Sequence, residues 1–124
     1  MRIIIIEDEK PAARLLQRKV EKLGLEVKTM LHSVEEAVTW FNSNQHPDLI
    51  FLDIQLSDGL SFEIFEQIDI KSAVIFTTAY DEYALEGFKQ GAVHYLVKPI
   101  DAEDLVESVQ RVKKKRSEGK STGI

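Results

Sequence analysis

The sequence predicts an α/β domain in which five strands alternate with five helices, (βα)5, around one five-stranded parallel sheet. Three observations predict it. Apolar runs at residues 3–6 (IIII), 49–52 (LIFL), 73–76 (AVIF) and 95–97 (YLV) recur at intervals that leave room for helices between them. A fifth run, residues 25–31 (LEVKTML), alternates apolar and polar side chains. The intervening segments carry helix start and stop signals. Continuous runs suit strands covered on both faces, whereas alternation suits a strand with one wetter face. Strands alternating with helices imply right-handed crossovers and helices on both sides of the sheet.

The elements follow in order. Pro11 suits the first turn of a helix, Leu16, Val20 and Leu23 give that helix an apolar stripe, and Gly24 can end it. The half-wet second strand belongs at a sheet edge, where the doubly wound, flavodoxin-like order 2-1-3-4-5 places it. Ser33 with Glu36 forms a capping box for a second helix bearing Val34, Ala37, Val38 and Phe41, with Trp40 packing on it or half-covering it. Gly59 precedes a third helix with Ile64, Phe65 and Ile68 inward. Asp81 can cap a fourth, which holds Ala84, Leu85 and Phe88 and stops near Gly91. Asp101 can cap the fifth, whose stripe is Leu105, Val109 and Val112.

At 124 residues the chain has the size of one domain with a real core. It holds no Cys, which removes disulfides, thiolate metal sites and cysteine nucleophiles and fits a cytoplasmic location. The apolar opening run is too short for a signal-peptide core or a membrane span, so a soluble protein is expected. The net charge of −5 is unevenly spread. Residues 1–110 hold 10 basic against 20 acidic side chains, whereas residues 111–124 hold 6 basic against Glu118 alone. An acidic body argues against a nucleic-acid footprint. The KKKR run at 113–116 reads as a solvated charge run. Residues 113–123 are rich in Lys, Ser and Gly, and residues 1–115 are expected to form the domain and 116–124 a basic linker or tail.

Ligands bind an open parallel sheet outside the carboxyl ends of its strands. There this sequence places Glu7 and Asp8 after the first strand, Asp53 after the third, Thr77 and Thr78 after the fourth, and Lys98 and Pro99 after the fifth. One Asp after a strand is an ordinary turn residue; convergence of four strands is not. Crowded carboxylates repel unless a cation intervenes. Oxygen ligands without His or Cys select a hard ion such as Mg²⁺. Lys98 adds a compact positive charge and Thr78 a hydroxyl donor. These are the parts of an aspartyl-phosphate site. His32, His46 and His94 lack metal-ligand spacing and read as surface or packing residues, and Thr77 as a structural hydroxyl.

The pair Glu7-Asp8, the LIFLDI run holding Asp53, the step Thr78-Ala79 and the step Lys98-Pro99 together resemble the signature of response-regulator receiver domains of two-component systems. The resemblance implies phosphorylation of Asp53 by a sensor histidine kinase. It implies Mg²⁺ held by Asp8, Asp53, the Gln55 backbone carbonyl and, through water, Glu7. The phosphoryl oxygens would meet Thr78, the Ala79 N–H and Lys98, and Tyr95 would turn inward on activation. The Lys98-Pro99 peptide would be cis. FTTAYDEYAL at 76–85 and GAVHYLVKP at 91–99 further resemble receivers preceding LytTR-type DNA-binding domains, which implies transcription regulation through an output domain; the helix 4–strand 5–helix 5 face is the expected site of homodimerisation or output-domain contact. That subgroup commonly has Asp where His94 stands and Pro where Ser57 stands, so the loop after Asp53 is expected to be less rigid here.

Two other classes are disfavoured. A Mg²⁺ phosphohydrolase of the haloacid-dehalogenase type needs an acid two residues after its nucleophile, where Gln55 stands, so the chain is expected to act on itself rather than as an enzyme. A flavin module would need a phosphate cradle where Glu7, Asp8 and Glu9 would repel one.

Overall fold

The computed structural model describes residues 1–80 and 84–122. In chain order it contains β1 (Ile3–Ile6), α1 (Lys10–Glu21), β2 (Val27–Leu31), α2 (Val34–Ser43), β3 (Leu49–Asp53), β4 (Gln55–Leu56), β5 (Gly59–Leu60), α3 (Phe62–Gln67), β6 (Ala73–Thr78), α4 (Ala84–Lys89), β7 (His94–Val97) and α5 (Ala102–Thr122). The five longer strands form one sheet, β2-β1-β3-β6-β7, with every neighbouring pair parallel. Setting the two-residue strands aside, this is the predicted order 2-1-3-4-5.

Successive side chains of a strand face opposite sides of the sheet. Ile4, Ile6, Ile50, Leu52 and Phe76 accordingly pack with Ala37, Phe41 and Ile64 of α2 and α3. Ile3, Ile5, Phe51 and Ile75 pack with Leu16, Val20, Leu105 and Val109 of α1 and α5. Both faces of β1 and β3 are dry, which is why their sequences run apolar without alternation. At the edge, β2 keeps Val27 and Leu31 buried and Lys28 exposed.

The helix ends differ from the sequence reading in informative ways. α1 buries Ala13, Leu16 and Val20 and ends at Glu21. Leu23 therefore falls in the turn closed by Gly24 (φ 81°) and is 38% exposed instead of completing the stripe. At α2, the Ser33 hydroxyl accepts from the Glu36 amide at 3.0 Å, while the Glu36 carboxylate accepts from the His32 amide at 3.2 Å. The box thus closes one residue further back than the motif predicts. Asp81 lies outside the described residues, as do the side chains of Ala84, Leu85 and Phe88. Asp101 caps α5 by accepting from the Glu103 amide at 3.0 Å. α5 then runs unbroken to Thr122, through the segment whose composition suggested a linker. Lys, Arg and Glu are good helix formers, so basic composition alone does not end a helix. Arg116, assigned to the linker by composition, pairs with Asp48 of the body at 3.0 Å.

The loop after Asp53 contains a small antiparallel hairpin that the sequence reading does not specify, with Gln55 opposite Leu60 and Leu56 opposite Gly59. α3 is short; it buries Ile64, and Ile68 is buried just past its end. Gly59 has φ 148°, and an added Cβ would sit 2.0 Å from the Glu63 carboxylate. The carboxylate can swing away, but the backbone strain cannot be relieved. Gly59→Ala is therefore expected to cost about 1–2 kcal/mol, read as a lower urea midpoint at unchanged slope. Among the described residues no helix is long and apolar enough to cross a membrane.

Candidate functional site

The register of the sheet brings the polar residues together. Asp53, the last residue of β3, pairs with Thr77, and Thr78, the last of β6, pairs with Val97, the residue before Lys98. The Lys98 amide donates to the Thr78 carbonyl at 2.7 Å, and the Lys98-Pro99 peptide is cis. Glu7 follows β1 and is 4% exposed; Asp53 is 6% exposed. Such burial demands partners for both charges.

Lys98 supplies one to each. Its ammonium donates to Asp53 Oδ2 at 2.9 Å and to Glu7 Oε1. The other Glu7 oxygen accepts from the Glu9 amide at 3.1 Å. Burial alone would lower the Lys98 pKa, but its bonds to Glu7 and Asp53 outweigh this and hold it above the ordinary lysine value. For Asp8, burial first and the neighbouring Glu7 carboxylate second push the pKa above the ordinary aspartate value, with Lys98 opposing. Carboxylate oxygens of Glu7, Asp8 and Asp53 all lie within 4.8 Å of one another. Three acids against one ammonium leave a negative, all-oxygen pocket, and that donor set fits a hard divalent cation.

The remaining rim residues surround the same space. Asp8, Asp53, Gln55, Thr78, Ala79 and Lys98 line a cleft of about 290 Å³. The Gln55 amide points to Asp53 Oδ1 at 3.4 Å. Thr78 is buried, and its hydroxyl accepts from the Tyr80 amide at 3.2 Å, leaving its own hydrogen to donate. Tyr95 lies on the edge strand β7 with its ring against the core, and its hydroxyl donates to the Tyr80 carbonyl at 2.6 Å. Gly87 allows α4 to approach, since a Cβ there would meet Phe76 at 3.0 Å and Tyr95 at 3.4 Å.

Two contributors escape the sequence reading. The His32 Nδ1 lies 2.9 Å from the Glu7 backbone carbonyl, a contact that the reading of His32 as a surface or packing residue does not specify. Asp58, at the hairpin tip, accepts from the Val34 and Glu35 amides at 2.8 and 3.0 Å. A D-G step signals a turn but says nothing about a helix 24 residues away.

Residues 3–110 match the family model of the response regulator receiver domain. The chain belongs to that family. The receiver is 35% identical over 120 residues to the sensory transduction protein LytT of Bacillus anthracis, covering 94% of this chain and 48% of the relative. It is 41% identical over 117 residues to the positive alginate biosynthesis regulatory protein of Pseudomonas aeruginosa, covering 90% and 46%. The chain thus spans about half the length of these curated relatives. Among solved structures, the response regulatory domain of mrkE from Klebsiella pneumoniae superposes with a TM-score of 0.81 at 28% identity, covering 95% of this receiver and 99% of that chain.

Proposed function

We propose that Asp53 accepts a phosphoryl group and that the added charge changes what the domain binds. The observation that carries this is the position of Asp53 itself. It is a nearly buried carboxylate at the open end of the sheet, bonded to Lys98 and facing Asp8 across a cleft edged by Thr78 and Ala79.

An Asp53 carboxylate oxygen attacks the phosphorus of a phosphohistidine on a partner kinase, or of a small acyl phosphate. The P–O bond to Asp53 forms as the bond to the donor breaks, and an acyl phosphate results. Asp8, Asp53 and the Gln55 carbonyl would hold Mg²⁺, with Glu7 reaching it through water. When bound, the ion neutralises charge on the phosphoryl oxygens. Lys98, Thr78 and the Ala79 amide receive those oxygens. For Lys98 this means exchanging a present partner, Glu7, for the phosphoryl group, whereas Thr78 donates its unused hydrogen and moves toward the phosphoryl group with the Tyr80 amide still bonded to its oxygen. Because Tyr80 is also bonded to Tyr95, the loop after β6 and the edge strand β7 respond together.

The face formed by α4, β7 and α5 is then the surface that dimerises or meets an output domain. Residues 1–115 serve as the receiver and residues 116–124 as a basic linker, of which the part up to Thr122 continues the helix of α5. In the whole protein this arrangement serves a cytoplasmic transcription regulator with a LytTR-type DNA-binding domain. Gln55 stands where an external-substrate phosphatase needs an acid, so the reaction stays on the domain itself. With Mg²⁺ and acetyl phosphate, intact-mass spectrometry is expected to show one added phosphoryl group on the wild type and none on Asp53→Asn. Equal gain by both proteins would overturn the assignment.

A further inference from the structure

Asp58 makes two hydrogen bonds across the molecule, from the hairpin tip to the first turn of α2. Its carboxylate takes the amides of Val34 at 2.8 Å and Glu35 at 3.0 Å, while Ser33 takes that of Glu36 at 3.0 Å. The first three donors of α2 are thus satisfied, two of them by a residue outside the helix. The carboxylate also sits at the positive end of the helix dipole. Burial would raise the Asp58 pKa, but the amides of Glu35 and Val34 outweigh it and hold it below the ordinary aspartate value.

The same turn reaches the acidic pocket from the other side. A carbonyl can only accept, so His32 Nδ1 carries the hydrogen in its 2.9 Å contact with the Glu7 backbone oxygen. The His32 amide in turn donates to Glu36 on α2. The hairpin between these points cannot hold itself, because it has two residues per strand, and isolated short hairpins are marginal in water. It is closed at its base, where the Ser61 amide donates to the Ile54 carbonyl at 2.8 Å, and at its tip by Asp58.

We propose that Asp58 is a positioning residue for the metal-binding end of the site. By capping α2 from the hairpin tip, it fixes the segment carrying the Gln55 carbonyl to the helix turn that also holds the Glu7 backbone. The inference rests on the Mg²⁺ reading of the acidic pocket given above. It also identifies what orders the loop after Asp53 where Ser57 replaces the subgroup's proline.

Calorimetric Mg²⁺ titration of the wild type, Asp58→Ala, Asp58→Asn and Ser33→Ala tests it. Partners bonded directly to a metal ligand commonly control affinity by about 10- to 100-fold; Asp58 acts one step further out, through the hairpin, so Asp58→Ala is expected to weaken Mg²⁺ binding by about tenfold, the low end of that range. Asp58→Asn keeps one acceptor oxygen and is expected to fall between. Ser33→Ala loosens the same helix turn without touching the hairpin and is expected to bind close to the wild-type value. Amide NMR shifts of both Gln55 and His32 should move in Asp58→Ala. Wild-type affinity in Asp58→Ala, or an equal loss in Ser33→Ala, overturns the proposal while leaving the metal site standing. Should Asp58→Ala not fold, Asp58→Asn binding like the wild type overturns it. A wild type that binds no Mg²⁺ removes the metal site and this inference with it.

Discussion

Asp8→Asn is expected to be more stable than the wild type in the presence of a chelator, and less stable than it in saturating Mg²⁺. Glu7, Asp8 and Asp53 place carboxylate oxygens within 4.8 Å of one another, with Lys98 bonded to Glu7 and Asp53 rather than to Asp8. Two like charges near 4 Å cost about 1 kcal/mol in water and up to about 4 at the effective dielectric of a protein surface. Lys98 offsets part of this for Asp8. Removing the Asp8 charge should therefore stabilise the ion-free protein by about 1 kcal/mol. Mg²⁺ at a hundredfold excess over its dissociation constant stabilises the form that binds it by about 2.7 kcal/mol. Asp8→Asn forgoes most of that gain, so the order of the two proteins inverts. Urea titrations in EDTA and in Mg²⁺ check it, and curves that keep the same order in both buffers would exclude Asp8 from the metal site.

The same group sets a pH dependence. The Asp8 pKa is raised, by burial first and by Glu7 next. A raised acid binds its proton more tightly in the folded chain than in the unfolded one. Its contribution to stability is thus complete below the unfolded value, near pH 4, and is lost as pH rises through the folded pKa. In EDTA the wild type should lose this component over that window and Asp8→Asn should not.

The positions of the candidate site residues Glu7, Asp8, Asp53, Thr78 and Lys98 were legible because each comes one or two residues after an apolar run. The runs ending at Ile6, Leu52, Phe76 and Val97 fix where the chain emerges from the sheet, and the one or two residues that follow each gather at its carboxyl end. The order of the sheet was legible for a similar reason: β2 alternates and the inner strands do not. Features set by long-range partners were not legible. Asp58 reads as a turn residue until α2 is placed beside it, and the partner of His32 is unknown until β1 is. Leu23 fits the helical period of α1, but the turn at Gly24 removes it from the stripe. The helical state of residues 116–122 could not be read from their basic composition, and Asp48, the partner of Arg116, is remote in sequence.

Lys98→Ala is expected to cost about 2–3 kcal/mol of stability without Mg²⁺. Removing one partner of a buried ion pair costs about 3–5 kcal/mol, because the partner charge is left in a dry site. Lys98 here leaves two such partners, Glu7 and Asp53, but its side chain is 30% exposed, so water reaches the gap and reduces the loss. The substitution leaves the 2.7 Å bond from the Lys98 amide to the Thr78 carbonyl in place, because that bond belongs to the backbone. If excess negative charge is the cause, adding Glu7→Gln to Lys98→Ala should recover part of the loss, and so should Mg²⁺. If lost packing of the lysine stem is the cause, neither should help, and Lys98→Met should restore stability instead. Phosphorylation separates the roles further. Lys98→Ala should still gain phosphoryl mass from acetyl phosphate, more slowly, since the Asp53 nucleophile remains. The added group would then have no ammonium to draw across the cleft, so amide NMR shifts at Tyr80 and Tyr95 should stay near their unphosphorylated positions. Shifts as large as those of the phosphorylated wild type would assign the coupling to Thr78 alone.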